Sequence, residues 1–341
     1  MRDIFLCIKH VSCKQDGDTL KREFLVDIAG VLVFLLIGCS LGYLYVNAPR
    51  PGPWESLTVG NVPVESFAVL YVAQAEQFFY VNNLNVTIKD YSTGATAMDA
   101  LINGDIDVAG SSEYEVALNA VEKQNISIIA SCADSKFVDL IARSDHGTTN
   151  ASDLAGKTIG VAQRTVAEFN LGQFLEDNGM SIQDVKVVNL APQDFAAAIV
   201  NGSVDAVVCW EPYTEQVKAQ LGSGYVDWSL DSNTPFYSVL SCRNEWIKND
   251  PETVSRFVMS LCEAETYVKT HPNETQNLIK NRFNFTDDYM ATVSARNHFT
   301  VTLPPTLSEV MQREAAWMIN NNLTTQKALP NINDYISTAG F

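Results

Sequence analysis

The stretch Ala100-Leu-Ile-Asn-Gly-Asp-Ile-Asp-Val108 returns without a gap as Ala198-Ile-Val-Asn-Gly-Ser-Val-Asp-Ala206, at an offset of 98 residues. In each copy an apolar run stops at Asn-Gly, a pair suited to the left-handed C-terminal cap of a helix, and a short apolar strand follows at once. Upstream, Thr58-Val59-Gly60 likewise meets Thr158-Ile159-Gly160 at an offset of 100. Two runs that hold this spacing read as a duplication, and the chain is expected to form two related lobes.

Outward from the first copy, LTVGN, a helix over 68–80, LNVTIKD, a helix from Ala95, IDVAGS, a helix from Ser112 and ISIIAS alternate strands with amphipathic stretches. KTIGVA, a helix over 164–178, VKVVNL, a helix from Gln193, VDAVVCW and a helix from Glu211 repeat that order. This βαβ rhythm predicts an α/β fold with mainly parallel sheets flanked by helices. Residues 237–242 and the mostly helical remainder have no second copy and are expected to complete the first lobe. The resulting layout is a cytoplasmic tail over 1–27, a transmembrane anchor over 28–46, a Pro-rich linker over 47–56, a first lobe over 57–139 and 241–341, and an inserted second lobe over 140–240.

The anchor is IAGVLVFLLIGCSLGYLYV, 19 residues without a charge, long enough as a helix to span roughly 28 Å of hydrocarbon. Five Lys/Arg precede it and only Arg50 follows before Lys89, which places the N-terminus in the cytoplasm and the folded part outside. A cleaved signal peptide and a lipobox at Leu36-Ile37-Gly38-Cys39 are the alternatives; all three leave the same domain outside. Seven N-x-S/T sequons follow, at Asn85, Asn125, Asn150, Asn201, Asn273, Asn284 and Asn322, compatible with an exported, glycosylated chain. The formal charge of -17, from 23 Lys+Arg against 40 Asp+Glu, would repel a phosphate backbone and excludes nucleic acid as a partner. Of the seven cysteines, Cys132, Cys209, Cys242 and Cys262 lie in the expected domain; no Cys/His spacing suits a metal, and wide spacing fixes no pairing, so buried free thiols are expected, with disulfides in an oxidising compartment as the alternative. Four scattered histidines and the lack of nucleophile, zinc or nucleotide motifs point away from an enzyme, and no cofactor is expected.

In open parallel sheets ligands bind beyond the carboxyl ends of the strands, where helix N-termini present unpaired N–H groups. The turns expected there are 63–67, 92–96, 111–113, 132–134, 163–166 and 210–213. They supply Val64, Glu65, Ser66, Thr93, Gly94, Ala95, Thr96, Ser111, Ser112, Glu113 and Asp134 from the first lobe, and Gln163, Arg164, Thr165, Val166, Trp210 and Glu211 from the second. The hydroxyls suit a small polar solute or simply cap their helices. Trp210 either packs in the core or walls the cleft. Glu113 and Glu211, at equivalent helix starts, read as carboxylates held by the dipole.

The run VKVVNLAPQDFAAAIVNGSVDAVVCWEPY, with DYSTGATAMDALINGDIDVAG and DLAGKTIGVA, resembles the sulfonate, taurine and nitrate branch of ABC-transporter solute-binding proteins, which also contains thiamin-precursor binders. The resemblance runs from about Leu57 to Leu221. It implies a two-lobed periplasmic-binding-protein-like (type II) fold, with crossing strands near 137–143 and 236–243 and hinge closure on a solute held by the turns 63–67, 92–96, 111–113, 163–166 and 210–213. It also implies a permease with its ATPase subunits as partners, for a chain expected to act as a monomer. A sulfonate, taurine or nitrate-like anion is the expected solute, with Arg164 as a charged donor. A thiamin-type pyrimidine, or a role as a ligand-sensing ectodomain, is the alternative. Gln163-Arg164 stands where sulfonate binders often carry small hydroxyl residues.

Overall fold

Residues 52–136, 138–230 and 236–341 are described by the computed structural model. The expected tail, the apolar 28–46 span, the first half of the linker and Cys7, Cys13 and Cys39 lie outside them. Among the described residues no helix is long and apolar enough to cross a membrane.

The strands follow in the order β1 (Glu55–Asn61), β2 (Leu84–Asp90), β3 (Val108–Ser112), β4 (Ile126–Ser135), β5 (Asp139–Arg143), β6 (Thr158–Val161), β7 (Lys186–Asn189), β8 (Ala206–Cys209), β9 (Tyr225–Ser229), β10 (Phe236–Arg243) and β11 (Asn297–Thr302). They form two sheets, ordered β11-β4-β10-β3-β1-β2 and β7-β6-β8-β5-β9. Each sheet carries one lobe.

The sheets are mixed where the βαβ rhythm predicted mainly parallel ones. Parallel pairing holds within β2-β1-β3 and β7-β6-β8. By contrast β10 runs antiparallel to β3 and β4, β11 to β4, and β5 to both β8 and β9. The cause is connectivity. β5 lies in the other sheet from its predecessor β4, and β10 in the other sheet from β9, so neither is joined to a neighbour in its own sheet by the crossover that consecutive parallel strands need. β10 also pairs along its whole length in the first sheet, so residues 236–240 belong there and not to an inserted lobe ending at 240. The chain changes sheets before Phe236, and no strand crosses at 236–243.

The duplication is physical as well as textual. The helix Gly94–Asn103 ends on the Asn of its Asn-Gly and Phe195–Val200 ends just before its own, and both glycines sit at positive φ, 83° for Gly104 and 78° for Gly202. Asp107 Oδ2 then accepts from the N–H of Thr58 at 2.8 Å, and Asp205 Oδ2 accepts from the N–H of Thr158 at 2.9 Å. Arg243 donates to the carbonyls of Leu101 and Ile106, as Arg143 donates to those of Ile199 and Val200. In each lobe an arginine at the end of the arriving antiparallel strand closes the C-terminus of the helix before the buried strand.

The C-terminal helices cover the first lobe. Pro251–Thr270 packs on Ala68–Ala75 and brings Phe257 parallel to Phe79, ring centroids 5.4 Å apart. Leu307–Asn320 packs along Glu113–Val121. Cys132, Cys209 and Cys242 are free and buried, and Cys262 is free and half-buried. Burial pushes the Cys209 and Cys242 thiols up to about 12, which leaves them chemically quiet at neutral pH.

Candidate binding cleft

The segments that follow β1, β3, β6 and β8 converge on a cavity of about 60 Å³ between the lobes. From the first lobe come Val62, Val64, Ser66 and Phe67 after β1, Gly94 at a helix start, Ser111 and Ser112 at the end of β3, Glu115 one turn on, and Phe236 and Ser238 of β10. The second lobe contributes Thr165, Val166 and Trp210, and Val138 lies between β4 and β5. Of the expected residues, Val64, Ser66, Gly94, Ser111, Ser112, Thr165, Val166 and Trp210 therefore meet in one place. Trp210 walls the cleft and also packs edge-on to Phe195.

The other expected residues do not line the cavity. Thr93 and Thr96 close a capping box on Gly94–Asn103, with Thr93 Oγ1 accepting from the Thr96 N–H at 3.1 Å, and Ala95 lies buried in that helix's first turn. Glu65 is buried and accepts from Tyr289 Oη at 2.5 Å. Asp134 sits on β4 with its carboxylate 3.6 Å from His298 Nδ1. Gln163 Nε2 donates to Glu168. Glu211 Oε2 accepts from the Glu215 N–H in the first turn of Tyr213–Leu221, and burial, outweighing that bond, pushes it up to about 7. Glu113 Oε2 accepts from the Tyr237 N–H at 2.8 Å, and burial pushes it up to about 8. For both carboxyls desolvation exceeds what a helix terminus returns.

Arg164 is the clearest departure. Its guanidinium makes two parallel bonds to Asp99, at 2.9 and 2.7 Å, and so joins the second lobe to the helix Gly94–Asn103 of the first. Its backbone sits at φ 65° with its N–H on Glu168 Oε2. With its end-on pair of N–H groups on Asp99 and its side chain absent from the cavity lining, Arg164 does not stand here as the donor to a solute anion.

Glu115 is the single ionisable side chain among the cavity-lining residues. Ser112 donates to its Oε2 from both N–H, at 3.0 Å, and Oγ. The other oxygen lies against Gly94, where a Cβ would fall 2.7 Å from Oε1 and 2.9 Å from the Ser111 Cβ. Glycine is what admits the carboxyl group to the cavity wall. Burial pushes Glu115 up to about 7, against the lowering effect of the Ser112 bonds. The sequence reading starts a helix at Ser112 and does not single out Glu115. Phe67 lies within the expected 63–67 turn without being picked out from it, Val62 just precedes that turn, and Val138, Phe236 and Ser238 lie on segments assigned to the two crossings.

Outside the cavity the lobes meet on the helix Val166–Asp177. Trp317 of Leu307–Asn320 donates from Nε1 to Glu176 Oε1 at 3.1 Å and meets Phe169 edge-on, centroids 5.4 Å apart. Gly172 makes room for that indole, since a Cβ there would lie 2.1 Å from Trp317 Cζ2. Among the described residues no group of His, Cys, Asp or Glu is arranged to hold a metal ion.

A family model described as NMT1/THI5 like matches residues 65–275, more than half of the chain. A Brucella abortus protein named as a binding protein is 25% identical over 215 residues, 62% of this chain and 66% of its own, so the chain spans a little under two thirds of that relative. A Bacillus subtilis protein named for binding aliphatic sulfonates is 24% identical over 267 residues, 76% of this chain and 77% of its own. Among solved structures, the alkanesulfonate-binding protein SsuA from Xanthomonas axonopodis pv. citri, bound to MOPS, shares the two-lobed fold. Its TM-score is 0.72 over 84% of this chain and 99% of that one, at 16% identity.

Proposed function

Since the chain belongs to the NMT1/THI5-like family, we propose that it is the extracytoplasmic solute-binding protein of an ABC importer, capturing a small solute between its lobes for a permease and its ATPase subunits. The observation that carries this reading is the cavity. Its walls come from both lobes, so a solute bound there touches both, and their closing on it reports occupancy to a partner. Drug-sized ligands occupy cavities of about 300–1,000 Å³; one of about 60 Å³ suits a closed form around a solute of few atoms. The 28–46 span would hold this domain outside the cell as a monomer, with the N-terminus inside. Protease added to intact cells is expected to remove everything beyond Pro53, and full protection would sink that topology.

The lining favours the pyrimidine alternative over the expected sulfonate, taurine or nitrate-like anion. No Lys or Arg lines the cavity, whereas Glu115 does, so an anion would face a carboxyl group that has to stay protonated. An amino group on a flat ring can instead donate to Glu115 Oε1 while the ring lies among Phe67, Trp210 and Phe236. Calorimetry of the purified full chain should show 4-aminopyrimidine binding and lose it in Glu115→Gln. Taurine binding that Glu115→Gln leaves unchanged would reverse the assignment.

A further inference from the structure

The sequons find no role in solute capture, and the fold sorts them. All seven sequon asparagines are exposed, although the chain also buries asparagines outside sequons, at Asn61, Asn82, Asn119, Asn170 and Asn297. None of the seven lines the cleft cavity. Their hydroxyl residues divide. Ser127, Thr275 and Thr324 are buried, the first within β4 and the last with its hydroxyl on Glu122. Thr87, Ser152, Ser203 and Thr286 are exposed.

We propose that Asn85, Asn150, Asn201 and Asn284 are N-glycosylation sites, and that Asn125, Asn273 and Asn322 are not. The assignment rests on the export reading above. The donor is a sugar carried through its anomeric carbon on a lipid phosphate or diphosphate. The asparagine Nδ2–C1 bond forms, the C1–O bond to phosphate breaks, the lipid phosphate leaves with the bonding pair, and one amide proton passes to base. A transferase has to reach both the amide and the hydroxyl two residues on, which only the four exposed pairs allow once the domain has folded. Asn201 is presented most openly: it lies in the turn after Phe195–Val200 and uses Oδ1 to accept from the N–H and hydroxyl of Ser203, at 2.8 and 2.5 Å. The Nδ2 that would carry the sugar enters neither bond. Asn284 sits at φ 56° closing Pro272–Phe283, a backbone that a glycan on Nδ2 leaves intact.

The test is peptide mass spectrometry on the full chain taken from the membranes of its native cells, alongside the protease assay. Sugar-bearing peptides are expected at the four exposed sequons and bare ones at the other three. The intact mass is expected to fall stepwise through Asn201→Gln, Asn150→Gln, Asn85→Gln and Asn284→Gln, with 4-aminopyrimidine affinity unchanged. Bare peptides at the four sites in a chain that protease reaches overturn the glycan assignment alone. Bare peptides in a chain that protease cannot reach overturn it together with export. Sugar on Asn125, Asn273 or Asn322 overturns the requirement for an exposed hydroxyl.

Discussion

Gly172→Ala separates closing of the lobes from folding. In isolation the change favours the chain, because alanine in a helix interior is better than glycine by about 1 kcal/mol. In the closed form the new methyl would lie 2.1 Å from Cζ2 and 2.6 Å from Cε2 of Trp317, well inside van der Waals contact. The indole has little room to yield, being held by Phe169 and by its bond to Glu176. Overpacking of this kind costs about 1–3 kcal/mol, and the cheapest relief is to part the lobes. Only the closed form carries the clash, so the penalty falls on solute binding, weakening it roughly 5- to 150-fold at about 1.4 kcal/mol per decade. Melting of the solute-free protein should hold or rise slightly. The assay is calorimetric affinity for 4-aminopyrimidine together with the melting temperature, repeated in a Trp317→Ala background, where Gly172→Ala should no longer affect affinity. A lower melting temperature with unchanged affinity would refute the reasoning, since it would mean that Trp317 and Gly172 stay in contact when the cleft is open.

Arg164→Ala removes a half-exposed pair joining the lobes, worth about 0.2–1 kcal/mol, so affinity should fall by less than roughly tenfold and the loss should shrink at high salt; a salt-independent loss would point to direct solute contact. Glu113, Glu115 and Glu211 titrate higher folded than unfolded, about 8, 7 and 7 against 4.5, so their contribution is complete below pH 4.5 and lost as pH rises through those values. Thermal melts between pH 5 and 8 should show stability falling, less so in Glu113→Gln, and a rise across that window would contradict the assignment. Asp205→Ala leaves the half-buried start of β6 without the acceptor for the Thr158 N–H, a loss of about 1.5–3 kcal/mol read as a lower denaturation midpoint; Asp107→Ala should match it in the other lobe, and a large disparity would deny the equivalence of the two copies.

The duplication was legible because its markers are local: Asn-Gly ends a helix wherever it stands, and the aspartate that follows does the same work on Thr58 and on Thr158. From those markers and the βαβ rhythm the two lobes and the turns around the cavity follow, and the family rests on the resemblance carried by the longer runs that contain them. What sequence could not show depends on pairing across the chain. β10 joins β3 and β4 from more than a hundred residues away, and an apolar run such as FYSVLSC carries no sign of which sheet will take it or whether it runs parallel. Phe236 and Ser238 were missed as cavity walls for that reason. Arg164 failed differently, because a cation beside a helix start suggests an anion, and the anion proved to be Asp99, 65 residues earlier in the other lobe. Glu115 is the instructive case. Ser112-x-x-Glu115 is a capping pattern, and the cap does form, but a cap accounts for only one carboxyl oxygen. The direction of the second is set by Gly94, on another helix, and the class of solute the cleft accepts turns on that oxygen.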